Sequence, residues 1–200
     1  MDYKAKANDS FKTKWSLFCF NSLIHPSKEF SLKSFQDFKI LPELVSIYVN
    51  QYHQYEKEEL LDDSEWEVSE LMKAMESQLE NSLKTTCQED YVADFDKMFP
   101  KEQFEALGKD ESCYYCELTL SDFDELYNHH LINKKANRGF VLELDRKTPN
   151  LEYTPDNCVM SCYWCNNAKT DEFDTEEFKV IGLVMGTTFK ARLEKRKVNQ

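Results

Sequence analysis

Two Cys-x-x-Cys pairs, Ser112-Cys113-Tyr114-Tyr115-Cys116 and Ser161-Cys162-Tyr163-Trp164-Cys165, constrain this chain more than any other feature. Two residues between cysteines let both sulfurs reach one ion, and two such pairs fill a closed tetrahedral site at about 2.3 Å. They predict one structural Zn2+ held by Cys113, Cys116, Cys162 and Cys165. The gap between the pairs is longer than in a small zinc ribbon, and must hold a whole hairpin. Cys19, Cys87 and Cys158 have no paired partner and read as buried free thiols. A redox reading would need a separate explanation for each pair.

The rest of the composition places the chain among folded, helix-rich proteins. Of its 200 residues 41% are hydrophobic and 14% aromatic, which excludes a disordered chain. Four glycines and five prolines favour long helices over a turn-rich β sandwich. The N-terminus is charged, Trp15–Phe20 is too short for a signal segment, and no run approaches the roughly 18 apolar residues of a membrane span. A cytoplasmic protein with no membrane partner is therefore expected, with reduced cysteines serving as metal ligands.

Charge divides the chain. The net charge is −12; residues 1–112 carry 13 Lys, no Arg and 23 acids, whereas residues 113–200 carry 8 Lys, all four arginines and 14 acids. Phosphate binding draws on Lys and Arg, so the acidic first part reads as a solvated helical surface or one facing a basic partner. Two domains are expected. Residues 1–108 form an acidic helical domain with partner binding as a candidate role, and residues 109–200 form the zinc-braced domain with a C-terminal helix. The fold class is α+β, mainly helical at first.

Local patterns support that division. Leu44, Ile47, Tyr48, Gln51, Tyr52 and Tyr55 follow Pro42 at one-face helical spacing. Ser64 and Glu67 form a capping-box pair ahead of Val68, Met72, Met75, Leu79 and Leu83, predicting a helix over about 65–84. A short helix from Pro100 should end at Gly108. The acidic run Glu56–Glu70 lacks any partnering ligand pattern. Past Lys109, Phe140, Leu142 and Leu144 alternate with Val141, Glu143 and Asp145, a period-2 strand. A proline-bearing loop over Lys147–Pro155, a second strand over Asn157–Ser161 and a helix over Tyr163–Lys169 follow. An amphipathic helix starts at Asp174, with Glu177 completing a capping pair, and finishes in a basic tail.

Three segments then stand in order: Leu142-Glu143-Leu144-Asp145-Arg146-Lys147, Tyr153-Thr154-Pro155-Asp156-Asn157, and Cys162-Tyr163-Trp164-Cys165-Asn166-Asn167-Ala168-Lys169. Over about residues 110–175 this resembles the HNH endonuclease family (ββα-metal nucleases) in its form with two Cys-x-x-Cys pairs. The resemblance implies that Asp145 and Asn166 hold a catalytic Mg2+ or Mn2+, that Asn157 ties the loop together, and that Lys169 lies near the phosphate. Two oxygen ligands suit a hard cation left mostly open to water and substrate.

One position departs from the family pattern. Arg146 stands where the family has the histidine that activates water, and arginine cannot take a proton. Its forked guanidinium suits phosphate binding instead. His129, His130, Tyr153 or metal-bound water remain as candidate proton acceptors, against the plainer reading of His129-His130 as a turn pair. Tyr114, Tyr115, Tyr163 and Trp164 are expected to pack around the sulfurs, or else to stack on bases.

The resemblance implies a metal-dependent endonuclease cutting DNA ahead of RNA. The acidic helical part suggests a nuclease subunit of a bacterial anti-phage defence system, with a regulatory partner such as an ATPase subunit. The competing expectation is a catalytically inactive zinc-braced module that binds nucleic acid or a protein.

Overall fold

Helices are the main described elements of the computed structural model, which describes residues 1–25, 29–49, 83–133, 141–170 and 172–198. Chain order gives α1 (Tyr3–Ile24), α2 (Leu32–Asp37), α3 (Pro42–Tyr48), α4 (Leu83–Met98), α5 (Lys101–Leu107) and α6 (Leu120–Asn128). After these come β1 (Glu143–Arg146), β2 (Cys158–Ser161), α7 (Tyr163–Lys169) and α8 (Thr175–Val198). The fold is α+β. The expected helix over about 65–84, apart from its last residues in α4, lies outside the described residues. So do the run Glu56–Glu70, residues 51–55 and Phe140. No described helix is long and apolar enough to cross a membrane.

The chain divides into two compact units. One comprises residues 2–98 with 150–152; the other comprises Met1, residues 99–149 and residues 153–200. In the first, Asp2 caps α1 by accepting from the Ala5 N–H at 3.0 Å, and Ser31 caps α2 by accepting from Ser34 N–H at 3.3 Å. Burial on α1 covers more than one stripe, including Phe11, Trp15, Leu17, Phe18, Cys19 and Phe20. The core is aromatic: Phe11, Trp15 and Phe18 meet Phe35 of α2 at centroid distances of 5.5–5.8 Å. Tyr91 of α4 lies 5.9 Å from Phe11. Such tilted and edge-on rings add to the burial of their large apolar area. Lys14, also buried, lays its ammonium over the Phe35 and Tyr91 rings at 5.1 and 5.7 Å.

In the second unit, α5 follows Pro100 and stops at Gly108, whose φ of −63° is right-handed, so the stop needs no left-handed glycine. The first cysteine pair forms a tight knuckle: Cys113 N–H donates to Leu118 O and Glu117 N–H to Cys113 O, both at 2.9 Å, with Glu117 at φ 59°. Thr119 and Asp122 then cap α6 reciprocally. Thr119 N–H donates to Asp122 Oδ2 at 2.8 Å, and Asp122 N–H to Thr119 Oγ1 at 3.1 Å.

Strands β1 and β2 pair antiparallel, with Glu143 opposite Ser161, Leu144 opposite Met160, Asp145 opposite Val159 and Arg146 opposite Cys158. Leu142 and Leu144 are buried while Val141 is exposed, as the alternation requires. Helix α8 opens on the Asp174–Glu177 capping pair, at 2.8 and 3.2 Å. It lies close on the knuckle because two of its residues lack side chains. A Cβ on Gly182 would stand 2.7 Å from Tyr115 Cβ, and one on Gly186 would collide with the Cys116 carbonyl oxygen.

Candidate functional site

The four cysteines converge as their spacing demands. Cys113, Cys116, Cys162 and Cys165 are all buried, and their sulfurs lie within 4.8 Å of one another. Thiolates about 2.3 Å from a tetrahedral ion stand about 3.8 Å apart by geometry, and Cys116 Sγ and Cys162 Sγ are separated by 3.8 Å. Backbone donors steady the cluster: Cys162 N–H points at Cys113 Sγ (3.2 Å) and Cys165 N–H at Cys162 Sγ (3.4 Å). Hydrogen bonds from Cys116, Cys162 and Cys165 hold the Cys113 thiol well below its ordinary pKa. Bonds shared with Cys113 push Cys162 and Cys165 up. Four thiols this close cannot all ionise unless a cation joins them, and this donor set fits a closed structural metal site.

Asp145 lies next to the end of β1, on the face opposite Leu144. Tyr115, from within the first cysteine pair, donates its hydroxyl to Asp145 Oδ2 at 2.9 Å. Burial pushes the Asp145 carboxyl up from its ordinary value, opposed by the Lys169 charge and the Tyr115 bond. Tyr115 is itself pushed up by burial and then by the Asp145 charge, so it remains a donor.

Helix α7 crosses β1 on this face through two anchors. Asn166 Nδ2 donates to Glu143 Oε2 at 2.7 Å, and Lys169 Nζ donates to the Arg146 carbonyl at 3.0 Å. Asp145 lies between these anchor points in the strand, so Asn166 and Lys169 straddle it. Lys169 is only 1% exposed. Its ammonium braces the strand end and offsets the Asp145 charge from inside the unit.

Asn157 closes the connecting loop. Its Oδ1 accepts from Thr148 N–H at 2.9 Å, its Nδ2 donates to Thr148 O at 3.2 Å, and its carbonyl accepts from Lys147 N–H at 2.7 Å. The Arg146 guanidinium lies over the Tyr153 ring at 4.7 Å, within cation–π range. His130 is elsewhere: it takes φ 54° just past α6 and lines a hollow with Trp164, Phe189 and Arg192. Trp164 and Asn166 are two residues apart on α7, roughly 200° around the helix. His130 thus lies on the flank turned away from Asn166. His129 is the C-cap residue of α6.

The aromatics of the cysteine pairs divide their work. Tyr115 packs edge-on to Phe178 at 5.1 Å, and Trp164 stacks on Phe123 at 5.2 Å and meets Phe189 at 5.8 Å. Tyr114 is half-exposed, with Lys179 and Lys147 over its ring at 4.9 and 5.8 Å. Glu143 and Tyr115 are the contributors that sequence reasoning missed as partners of Asn166 and Asp145. The strand period did place Glu143 on the Asp145 face, but nothing in the sequence paired Tyr115 with a residue thirty positions away.

Hairpin, crossing helix and four-thiol cluster define a ββα unit braced at a four-cysteine site that fits a structural metal, with Asp145 on β1 and Asn166 on α7. No family model and no curated protein matches the chain. Among solved structures it is similar to one of the rare-cutting HNH restriction endonuclease PacI, at 25% identity and a TM-score of 0.40, over 52% of this chain and 75% of that one.

Proposed function

We propose that this protein is a metal-dependent HNH-type endonuclease that hydrolyses phosphodiester bonds in DNA. The observation that carries the reading is that Tyr115 holds Asp145 while Glu143, two residues earlier on the same strand face, holds Asn166, with the Arg146 guanidinium over the Tyr153 ring. Carboxylate and amide oxygens fit a hard divalent ion such as Mg2+ or Mn2+. When bound, that ion supplies electrostatic stabilisation to the scissile phosphate and its leaving oxygen.

The chain's own residues do the rest. Asp145 and Asn166 hold the ion, and Arg146 offers two parallel N–H donors to a phosphate. Asn157 keeps the loop closed so that Arg146 stays beside Tyr153. Lys169 fixes the strand end and reduces the cost of an ionised Asp145. The four thiolates hold Zn2+, which suits soft sulfur ligands and gives the hairpin its rigidity. With 23 acids against 13 lysines, residues 1–112 suit a basic regulatory protein surface, such as an ATPase subunit of a bacterial anti-phage system, better than DNA.

Arg146 also favours a second reading, a zinc-braced module that binds DNA without cutting it, because no proton acceptor stands at that position. Supercoiled plasmid incubated with Mg2+ or Mn2+ separates the two. Cleavage by the wild type that vanishes in Asp145→Ala and Asn166→Ala supports the nuclease. Metal-independent binding with intact DNA supports the module, and full cleavage by both variants overturns the site.

A further inference from the structure

We propose that Glu143 is a positioning residue that fixes the amide of Asn166 with its oxygen, and not its nitrogen, toward the ion-binding edge. The inference rests on the reading of Asn166 as a ligand and names what makes that asparagine fit for the role. The two ends of a side-chain amide are nearly the same shape, and turning the group by half a rotation exchanges an acceptor for two donors. A cation tolerates only the acceptor. Something must therefore select one orientation.

Glu143 does this by chemistry. A carboxylate accepts hydrogen bonds and cannot donate, so the atom 2.7 Å from Glu143 Oε2 is the amide nitrogen. The turned amide would bring oxygen against oxygen. Glu143 stands two residues before Asp145, so the pleat puts both carboxylates on one face of β1. Its partner register with Ser161 at the inner end of β2 fixes its height. The second anchor, Lys169 Nζ on the Arg146 carbonyl, stops α7 from sliding along the strand. Asn166 Oδ1 is thus left as the end of the amide not committed to Glu143.

Mn2+ binding to the zinc-loaded chain, read from the spectrum of free Mn2+ without DNA, tests this in a sign-inverting cycle. Glutamine at position 143 can satisfy either amide orientation, so Glu143→Gln should weaken Mn2+ binding by about tenfold, the lower end for an outer partner. Zinc content should stay the same. In an Asn166→Asp background there is no amide to orient, and Glu143 instead repels the new carboxylate. There Glu143→Gln should leave binding unchanged or strengthen it. Weakening by the same factor in both backgrounds would overturn the proposal, because it would make Glu143 an ion ligand in its own right. Unchanged binding in Glu143→Gln alone would overturn it too. Wild-type Mn2+ binding in both Asp145→Ala and Asn166→Ala would instead bring down the underlying ligand assignment.

Discussion

The four-cysteine cluster and the Asp145–Asn166 edge share helix α7, yet they differ in every property that matters for metal chemistry. The sulfurs are buried, mutually within 4.8 Å and soft. Asp145 and Asn166 are half-buried and carry hard oxygens, and outside partners hold them: Tyr115 donates to the Asp145 carboxylate, and Glu143 accepts from the Asn166 amide nitrogen. A closed soft site has no room for a substrate and contributes shape. On the proposed reading, a pair of hard oxygens would leave a divalent ion open to water and substrate and so contribute reactivity. Tyr115 joins the two, since it lies between two cysteines and donates to the aspartate.

The largest loss is expected at the thiols. Cys165→Ser should lose zinc and the fold of this unit together. The roughly 10–16 kcal/mol that a structural zinc contributes exceeds the stability of most small domains. Metal analysis with near-UV circular dichroism checks it, and a folded, zinc-free variant would refute the coupling. Asp145→Ala should keep its zinc and lose cleavage by more than the 10–100-fold typical of outer partners.

Packing between the regions comes next. Gly186→Ala drives a methyl into the Cys116 carbonyl and should cost about 1–3 kcal/mol or more, read as a lower Tm with zinc retained. Tyr115→Phe removes one hydrogen bond to a carboxylate. The lost bond is worth about 1.5–3 kcal/mol at most, and the variant should weaken Mn2+ binding without loss of zinc.

The smallest effect belongs to a spare cysteine. Burial, and then the Asp90 charge, push the Cys87 thiol up to about 11. Its folded pKa is raised, so its contribution to stability is whole below the ordinary thiol value and is lost as pH rises through about 11. Cys87→Ala should flatten that alkaline limb of the stability profile. An unchanged limb would assign the loss to other groups.

Much of the ββα unit could be read from local signals. Tyr163–Lys169 forms the expected helix, β2 begins one residue after Asn157, and α8 opens on the expected Asp174–Glu177 pair. Each depends on near neighbours in sequence. Helix α1 carries no single apolar stripe, because Leu17, Phe18, Cys19 and Phe20 are buried in succession. Helix α6 is signalled locally by Thr119-x-x-Asp122, its capping box. What stayed hidden is long-range. Gly182 and Gly186 look like weak points of a helix until the knuckle is seen against them. Lys169 looks like a phosphate ligand until its burial and its bond to the Arg146 carbonyl are seen.

The most direct test combines zinc content and Mg2+-dependent plasmid cleavage in the same preparations of wild type and Asp145→Ala. One zinc per chain in both, with cleavage in the wild type alone, is the result expected of a structural soft site bracing a reactive hard one. Equal cleavage by the two proteins, or cleavage that follows zinc and ignores added Mg2+, would contradict it.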